Sequence, residues 1–437
     1  MLVRCRLDSM ADPVTARPEE LAASGSVPRE RTLGLLRRRD FRRLYLAVSA
    51  SELGDAFHYI ALMWFALQAG GPLGVMAVRL ADSIPALVFG FHGGLAADRW
   101  SRRRLMIATD LARGGVLVPI AIAGLVGDLP LWGLVVAAFV LESATSYFAP
   151  AYGALLPALV DRANVQQANA LVQSTAQALS VAGWALAAGL LAFLPLSAFF
   201  AINAVSFFAS AALIVGVRQT PARVAAGHAP RIREGFAALR PRPALAAGVI
   251  VLGVAVTISA GTWIGGVPTL VRDSLGHGAG GFSIVMAGYS IGSIAGGIVL
   301  ARRPIGRKAL ASLLAWALYL PAYGLMAVAG SLGVAVAASL AAGVGQSSSV
   351  VLLTAAAQED VPDALLGRVM GLISLVHRGA HATGLLFVTP LFALFDPRGV
   401  FAAAAVAIPI VGLAGAAVAR SAQSPSLAPT RPRGKEL

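Results

Sequence analysis

Asp55 and Glu142 are carboxyl residues that each lie about 11 residues inside a long apolar run of the chain. At 1.5 Å of rise per helical residue, this depth is about 17 Å, near the middle of a bilayer if the runs cross one. Ionisable groups are costly at such a depth, and they usually serve transport. Each of the two could therefore bind and release protons during a transport cycle. Alternatively, either could stay neutral or pair with an arginine and only order helix packing.

Other charged residues in the apolar runs are spaced for pairing with each other. Arg79 and Asp82 are three residues apart, as are Asp110 and Arg113. Residues at this spacing are neighbours on one face of a helix, where opposite charges form ion pairs. We interpret Arg79 and Asp82 as a neutralised structural pair.

Three basic residues, His377, Arg378 and His381, lie together in a late apolar run. Histidines four residues apart could bind a metal ion on one helix face. No acidic or thiol ligand lies near them in the sequence, so we expect no metal site. We assign no role to the three side chains from the sequence.

The composition places these residues in a membrane protein. Of the 437 residues, 57% are hydrophobic and 13% are charged, whereas a soluble chain would carry roughly 25% charged residues. The apolar surface must therefore face lipid. A net charge of +14 could indicate nucleic-acid binding, but the arginines cluster between the apolar runs. We assign them to topology, expect no nucleic-acid partner, and take the scarcity of lysine beside arginine to favour a bacterial source.

Twelve of the apolar runs are long enough to cross a bilayer, because a helical crossing takes about 20 residues. We predict spans at 44–69, 74–97, 105–126, 131–154, 166–191, 197–217, 245–270, 281–301, 308–329, 332–356, 368–393 and 399–419. Very short turns without Arg or Lys, such as 70–72, join spans on one side. Segments on the other side, such as 99–104, are rich in arginine. The positive-inside rule places that side and both termini in the cytoplasm.

The chain divides into two halves of six predicted spans around its longest interior loop. The predicted parts are a cytoplasmic N-terminal segment at 1–43, a first half at 44–217, a cytoplasmic middle loop at 218–244, a second half at 245–420 and a disordered tail at 421–437. Within the middle loop, residues 232–240 could form an amphipathic helix on the membrane surface or could be a mere tether.

The two halves resemble each other in sequence. A shift of about 203 residues places the glycines near the end of the second span on those near the end of the eighth, as in a parallel transporter repeat. Small residues recur at the same spacing, with Gly90 and Gly94 in the first half and Gly292 and Gly296 in the second. Such pairs permit close contact between helices.

The loop after the second predicted span carries a specific motif. It reads Gly94-Leu95-Ala96-Ala97-Asp98-Arg99-Trp100-Ser101-Arg102-Arg103-Arg104. This segment resembles the loop 2–3 signature of the major facilitator superfamily, with Ser101 in place of the usual second glycine. The resemblance covers nearly the whole chain. It implies an all-α membrane protein with the major facilitator fold, in which twelve transmembrane helices form two pseudo-symmetric six-helix halves.

Three further stretches resemble the drug:proton antiporter-3 branch of that superfamily, which includes macrolide efflux proteins and the enterobactin exporter. They are 36–44 with 53–55, 156–160 with 167–171, and 361–363 with 367–370.

The resemblance implies two functional regions. In this family the loop 2–3 acts as a latch between the halves, near the start of span 11. The residues that match it here, or that we expect to support it, are Gly94, Asp98, Arg99, Arg102, Arg103, Asp110 and Arg113. The family's central cavity is lined by spans 1, 4, 7 and 10, so Asp55 and Glu142 should face one aqueous chamber. The candidates for lining it are His58, Tyr59, Ser146, Tyr147, Thr257, Trp263, Gln346 and Arg378.

Together these features predict a secondary active transporter that exports a hydrophobic small molecule, such as a drug, antibiotic or siderophore, by proton-coupled alternating access. The alternatives are an importer or uniporter of a nutrient or siderophore, and a non-transporting membrane receptor. The sequence contains no Walker loop, nucleophile elbow or Cys/His cluster. We therefore expect neither an enzyme nor a cofactor, with the proton gradient as the energy source. We expect a monomer in the bacterial cytoplasmic membrane whose partners are a small-molecule substrate, protons and lipid.

Overall fold

The computed structural model describes residues 32–127, 129–161, 164–218, 232–303 and 305–422. Within these ranges the regular secondary structure is helical throughout. This confirms the predicted fold class, and it follows from the solvent, because backbone groups in lipid must be hydrogen-bonded within their own segment. Most of the predicted N-terminal segment and tail, and the first part of the middle loop, lie outside the described residues, so the predictions for them stay predictions.

Fourteen α-helices follow one another along the described chain. They are α1 (Arg39–Arg99), α2 (Arg102–Val126), α3 (Leu131–Leu155), α4 (Val165–Leu190), α5 (Ala198–Val215), α6 (Ile232–Leu239), α7 (Pro243–Thr269), α8 (Ala279–Arg302), α9 (Lys308–Ala315), α10 (Tyr319–Ala327), α11 (Leu332–Asp360), α12 (Asp363–Phe387), α13 (Leu391–Leu394) and α14 (Pro397–Ser421). Short 3-10 turns lie at Thr32–Arg37, Leu156–Ala158 and Trp316–Leu318, and a π-helical turn lies at Leu270–Ser274.

Nine helices of the described chain are long and apolar enough to cross a membrane. The first of these belongs to α1, whose two arms contain the first two predicted spans, and α9 and α10 together contain the ninth. The fifth and eleventh predicted spans coincide with α4 and α12. These two helices are less apolar than the nine, because α4 carries several amide side chains and α12 several charged ones. Every predicted span therefore falls on a helix.

The turn between the first two spans is a kink within α1. Gly70 and Gly71 leave the helical conformation, and Gly71 has φ +60. A positive φ of this size favours glycine, because a side chain there would meet the backbone. Pro72 follows directly and begins the second arm with a fixed φ. The predicted turn at 70–72 is confirmed at these residues.

Ser101, the departure from the family's loop motif, has a structural role of its own. It is the N-cap of α2, and its hydroxyl accepts a hydrogen bond from the backbone N–H of Arg104 at 3.4 Å. Serine is among the preferred N-cap residues, because its oxygen satisfies a backbone donor that the helix leaves free. The φ of Ser101 is −62, so the backbone does not require glycine here.

The helix predicted in the middle loop is present as α6. Ala238 and Leu239 are buried, and a Cβ on Gly235 would lie 3.0 Å from the backbone oxygen of Arg368 in α12. One face of α6 therefore packs on the start of α12, whereas Phe236 is 56% exposed on the other. The docked face excludes a mere tether for this segment.

The predicted close contacts of glycines between helices are confirmed in the second half. In the first half the prediction named the wrong glycines. A Cβ on Gly292 would lie 2.0 Å from the backbone oxygen of Leu340, so α8 and α11 touch backbone to backbone. In the first half, Gly90 and Gly94 face open space, and Gly93 makes the close contact with α3 instead. The spacing alone does not fix the rotation of a helix, because Gly93 and Gly94 are adjacent in the sequence and only one of them faces α3.

Gly292→Ala should destabilise the protein, because the added methyl group has no space between α8 and α11. Overpacking of this kind costs about 1–3 kcal/mol. Gly297→Ala is the matched control on the same helix, since a Cβ there meets nothing within 4 Å. We expect the thermal midpoint of the purified protein to fall for the first variant only. Equal thermal midpoints for Gly292→Ala and Gly297→Ala would mean that α8 and α11 can move apart without a loss of stability.

Candidate functional site

A cavity of about 550 Å³ lies in the first half, between the first arm of α1, α3 and α4. Its walls include Val48, Ser51, Glu52, Asp55, Arg113, Thr145, Phe148, Ala149, Tyr152, Asn169, Val172 and Gln173. Most of this wall belongs to the half of each helix that is nearer the arginine-rich loops. This volume is typical of sites that hold a drug-sized molecule.

Asp55 lies on the wall of this cavity, which is lined by residues of the first half alone, whereas the predicted chamber is lined by helices of both halves. Its Oδ1 accepts a hydrogen bond from Nδ2 of Asn203 in α5 at 3.0 Å. Asn203 is fully buried and in turn accepts a hydrogen bond from Ser206 at 2.9 Å. The carboxyl group thus has a neutral amide as its hydrogen-bond partner and forms no ion pair with a described residue, while Arg113 on the same cavity wall interacts with it electrostatically.

Asp110 and Arg113 form the predicted ion pair, but the pair does not lie where we expected. Asp110 is fully buried and also accepts a hydrogen bond from Ser210 at 2.7 Å. The guanidinium of Arg113 lies between the rings of Phe148 and Phe207, 4.5 and 4.3 Å from their centroids. Arg113 also lines the cavity beside Asp55. The pair is therefore part of the core behind the cavity wall and not of the loop latch, because both residues are more than two turns inside α2.

Glu142 does not line this cavity, in contrast to the prediction of one shared chamber. It lies one turn beyond the cavity-lining residues of α3 and interacts electrostatically with Asp82, Arg79 and Arg378. Arg79 and Asp82 form the predicted ion pair at 2.5 Å. Arg378 belongs to α12 of the second half, so Glu142 lies where charges of both halves meet.

Ser146 and Tyr147 are on the wrong face of α3 for the cavity. The Ser146 hydroxyl donates to the backbone oxygen of Glu142 at 3.0 Å, and the Tyr147 ring packs on Phe89 of α1 at 6.2 Å. Hydroxyl groups in helices can satisfy themselves on the preceding turn, so a polar residue in a span need not face a cavity.

His58 and Tyr59 also face away from this cavity. His58 is buried with its ring 5.4 Å from that of Phe200 in α5. Tyr59 lies between Trp184 and Phe282, at 5.9 and 6.4 Å. Phe282 belongs to α8, so Tyr59 takes part in the contact between the halves.

A second, smaller cavity of about 50 Å³ lies in the second half, and two of the predicted residues line it. Trp263 and Gln346 share its wall with three tyrosines and His381. The Gln346 oxygen accepts a hydrogen bond from Tyr319 at 2.7 Å. Thr257 is elsewhere, since its hydroxyl donates to the backbone of Gly253 at 2.8 Å and its carbonyl packs on Gly384.

The histidines of α12 face each other across one turn. Nε2 of His377 and Nε2 of His381 are 3.1 Å apart, and their rings are stacked. Among the described residues, groups of three or more metal-binding side chains are absent. Arg378, between them in sequence, is exposed on α12 and interacts electrostatically with Glu142.

The predicted latch is not engaged in this conformation. Asp98 is exposed and makes no hydrogen bond or ion pair with any described residue. Arg99 is exposed as well, and Gly94 has no neighbour within 4 Å of a Cβ. Arg102 donates to the backbone oxygen of Ala154 at 3.0 Å and so ties the loop to α3 within the same half, while Arg103 is half-buried. The latch function of Asp98 stays a prediction.

The opposite end of the molecule is closed by contacts between the halves. Arg272, in the π-helical turn after α7, donates from Nη1 to the backbone oxygen of Leu67 at 2.7 Å. Beside it the ring of Phe282 stacks on Trp64 at 6.3 Å. A Cβ on Gly280 would lie 3.9 Å from the backbone oxygen of Ala188. On the predicted orientation, this is an inward-facing arrangement.

Arg272→Ala should make the closed end open more often, because it removes the hydrogen bond that joins the π-helical turn after α7 to α1. A hydrogen bond from a charged donor contributes enough to shift a population roughly tenfold. We would measure labelling of Ala188→Cys, in a chain with Cys5→Ser, by a membrane-impermeant maleimide, and expect a roughly tenfold faster reaction.

Arg398→Ala is the matched control for Arg272→Ala. Arg398 donates to the backbone oxygen of Ala329 at 3.0 Å, a contact within the second half. Its loss should leave the labelling rate unchanged. An equal rate increase in both variants would show that Arg272 has no particular role in closing this end.

Several residues of the cavity wall were not predicted from the sequence. Glu52 precedes Asp55 by three residues and so lies one turn away on the same face. The three-residue spacing from Asp55 could have predicted that Glu52 lies on the same wall. The sequence does not indicate that Phe148 and Tyr152 line a cavity, because aromatic residues in a span are more often packing or interface residues.

Comparison with known proteins identifies the family. Residues 44–385 match the sequence profile described as Major Facilitator Superfamily. The uncharacterised MFS-type transporter YvqJ of Bacillus subtilis (strain 168) is 24% identical over 284 residues, which are 62% of this chain and 67% of that protein. Macrolide efflux protein A of Streptococcus pyogenes is 26% identical over 375 residues, 82% of this chain and 89% of that protein.

Among solved structures, a mutant of the nucleoside transporter NupG superposes with a TM-score of 0.70 at 13% identity, covering 86% of this chain and 99% of that one. This likeness concerns the fold. The profile match covers most of the chain and confirms the family that the loop motif predicted, and macrolide efflux protein A agrees with the predicted branch. The relatives are transporters and not enzymes. The chain is therefore a multi-pass membrane transporter of the Major Facilitator Superfamily.

Proposed function

We propose that this transporter exports a hydrophobic small molecule from the cytoplasm in exchange for protons. The observation that carries the proposal is the cavity beside Asp55, which is large enough for a drug-sized molecule and is lined mostly by apolar atoms. On the predicted orientation it lies toward the cytoplasm, while Arg272 and Phe282 close the other end. The similarity to macrolide efflux protein A supports export over import.

The transport cycle follows from where the carboxyl group lies. In the inward-facing state the substrate enters the cavity and displaces the proton of Asp55. The halves then rock about the midplane, the contact of Arg272 with Leu67 breaks, and the site opens outward. A proton from outside binds Asp55 and releases the substrate. Asp98 latches the cytoplasmic side while it is closed, and it disengages on return.

Asp55 and Glu142 have different surroundings, and we propose different roles for them. Asp55 faces the cavity with a neutral partner, which suits direct competition between proton and substrate. Glu142 interacts electrostatically with Arg378 of the other half. Its charge therefore influences how the halves meet, and its protonation would couple to their movement.

We further propose a monomer in the cytoplasmic membrane of a bacterium, with both termini in the cytoplasm. Arginine-rich segments on one face and short turns free of Arg and Lys on the other support this orientation.

Everted membrane vesicles from an efflux-deficient bacterial host test the proposal. Vesicles with the protein should accumulate a subset of fluorescent lipophilic compounds when respiration acidifies their interior, and nigericin should abolish the accumulation. Vesicles without the protein are the control. Accumulation only in right-side-out vesicles would indicate import, and equilibration that ignores the gradient would indicate a uniporter. No flux of any compound would favour a receptor.

A further inference from the structure

We propose that Arg378 of α12 recognises a carbonyl-type oxygen of a neutral hydrophobic substrate, at the place where the two halves meet. The proposal rests on the proposed export function and adds to it the chemical group by which the best substrates are bound. It concerns a side chain to which the coupling mechanism gives no role of its own.

The first argument is a charged side chain at mid-membrane depth that has no partner in direct contact. Arg378 lies about 10 residues inside the predicted span 368–393, which is about 15 Å of helix and near the middle of a bilayer. Charged groups at this depth are costly, and they normally pair with another group or serve transport. Arg378 is exposed and forms no hydrogen bond or ion pair with any described residue. Its N–H donors are therefore available to a ligand.

The second argument is the direction in which Arg378 faces. It interacts electrostatically with Glu142 of α3, a residue of the first half. Glu142 precedes the cavity-lining residue Thr145 by three positions, so the two are neighbours on one face of α3. Arg378 is therefore a charged group of the second half that lies toward one end of the cavity beside Asp55.

The third argument is the open surface around Arg378. Gly371, Ser374 and Arg378 are spaced three and four residues apart, so they share one face of α12, and all three are exposed. A Cβ on Gly371 or on Gly379 would meet nothing within 4 Å. The described residues thus leave space beside these glycines, and the apolar body of a ligand has room there next to the guanidinium group.

The fourth argument is the balance of charge, which favours a neutral acceptor over an anion. Glu142 is close enough to compensate the charge of Arg378, but it forms no hydrogen bond or ion pair with it. Arg79 and Asp82, which also interact with Glu142, are paired with each other. The guanidinium group thus keeps its donors free while its charge is balanced. A ketone, ester or amide oxygen accepts such a donor, whereas an anion would be repelled by the carboxyl group of Glu142.

Binding to the purified full-length protein in nanodiscs tests this inference with three fluorescent probes of similar shape. Acetylpyrene carries a ketone oxygen, ethylpyrene lacks it, and pyrenecarboxylate carries an anion in its place. Acetylpyrene should bind about tenfold more tightly than ethylpyrene, because a hydrogen bond from a charged donor contributes about that much. Arg378→Met should lower the affinity for acetylpyrene about tenfold, to that of ethylpyrene, and leave ethylpyrene binding unchanged. Arg378→Lys should keep part of the preference, since it retains a charged donor but loses the planar fork.

Two further variants and empty nanodiscs are the controls for this measurement. Empty nanodiscs correct for partition of the probes into lipid. Arg398→Met is the matched control, because Arg398 donates to the backbone oxygen of Ala329 within the second half, and it should leave the preference unchanged. Glu142→Gln should raise the affinity for pyrenecarboxylate, because the charge of Arg378 is then no longer balanced.

Two binding results would overturn the inference. The first is equal affinity of the original protein for acetylpyrene and ethylpyrene, which would mean that the ketone oxygen has no donor in the site. The second is an equal loss of affinity for both probes in Arg378→Met, which would mean that Arg378 has a merely structural role.

Accumulation in everted vesicles separates this inference from the proposed function. Below saturation, vesicles with Arg378→Met should accumulate the ketone- and ester-bearing compounds of the fluorescent panel about tenfold more slowly, and compounds without an oxygen acceptor at the original rate. An equal loss for all compounds would assign Arg378 to the transport cycle itself and overturn the inference. No accumulation of any compound by the original protein would overturn the proposed function, whereas the preference for acetylpyrene is measured on binding alone.

Discussion

Asp55→Asn should abolish export against a gradient while leaving substrate exchange across the membrane intact. Asparagine has nearly the shape of aspartate and can still accept the hydrogen bond that Asn203 donates at 3.0 Å. The cavity wall therefore keeps its geometry, but the amide cannot carry a proton. Without a proton to exchange, the transporter can only equilibrate its substrate, as a uniporter would.

Proteoliposomes with an imposed pH gradient would show this difference. A gradient of one pH unit supports about tenfold accumulation for each coupled proton. We expect accumulation to fall to equilibrium in Asp55→Asn, whereas counterflow of labelled against unlabelled substrate continues. Asp161→Asn is the control, because Asp161 pairs with Arg38 on the arginine-rich side, outside the cavity. Full accumulation by Asp55→Asn would move the coupling to Glu142, and Glu142→Gln would be the next variant.

The sequence predicts the helices of this protein well because a bilayer leaves few choices. A run of about 20 apolar residues must form a helix there, and glycine or proline at the turns fixes where it ends. The kink at Gly71 and the end of α2 at Gly127, which has φ +90, are both of this kind. The first two spans are the two arms of α1, on either side of the predicted turn.

The face that each helix presents to the cavity is harder to predict. In a soluble helix the apolar face marks the core, but a membrane helix is apolar all round. The polar residues of a span were therefore used to predict which face lines a cavity. On α3 they indicate a different face from the one that lines this cavity, because Ser146 donates its hydrogen bond to its own helix while Phe148 lines the cavity. Asp55 does lie on the wall of a cavity, because a charged group has no cheap alternative to a polar site. Its role in proton coupling stays a prediction.

The position of the pair Asp110 and Arg113 along α2 was also not predicted from the sequence. Asp110 and Arg113, which we expected to support the latch from the helix after the loop 2–3, lie in the core behind the cavity instead. Their burial follows from partners that are distant in sequence. Ser210 and Phe207 come from α5 and Phe148 comes from α3, and a single sequence gives no sign of such contacts.

Arg113→Met should be among the most destabilising single substitutions in the first half. Asp110 is fully buried, and without the guanidinium it keeps only the hydroxyl of Ser210 as a partner. Removing one member of a buried ion pair costs about 3–5 kcal/mol, because the remaining charge has lost its compensation. The rings of Phe148 and Phe207 would also lose the cation that lies between them.

The double variant Arg113→Met with Asp110→Asn separates the uncompensated charge from lost packing. If the charge causes the damage, the neutral amide should recover most of the lost stability, since replacing both members of a buried pair is often close to neutral. Arg79→Met is the matched comparison, because Arg79 pairs with Asp82 at the same spacing but is about a quarter exposed. Its effect should be smaller. Thermal midpoints of the purified variants in detergent measure all three, and a double variant no more stable than Arg113→Met would assign the loss to the aromatic packing instead.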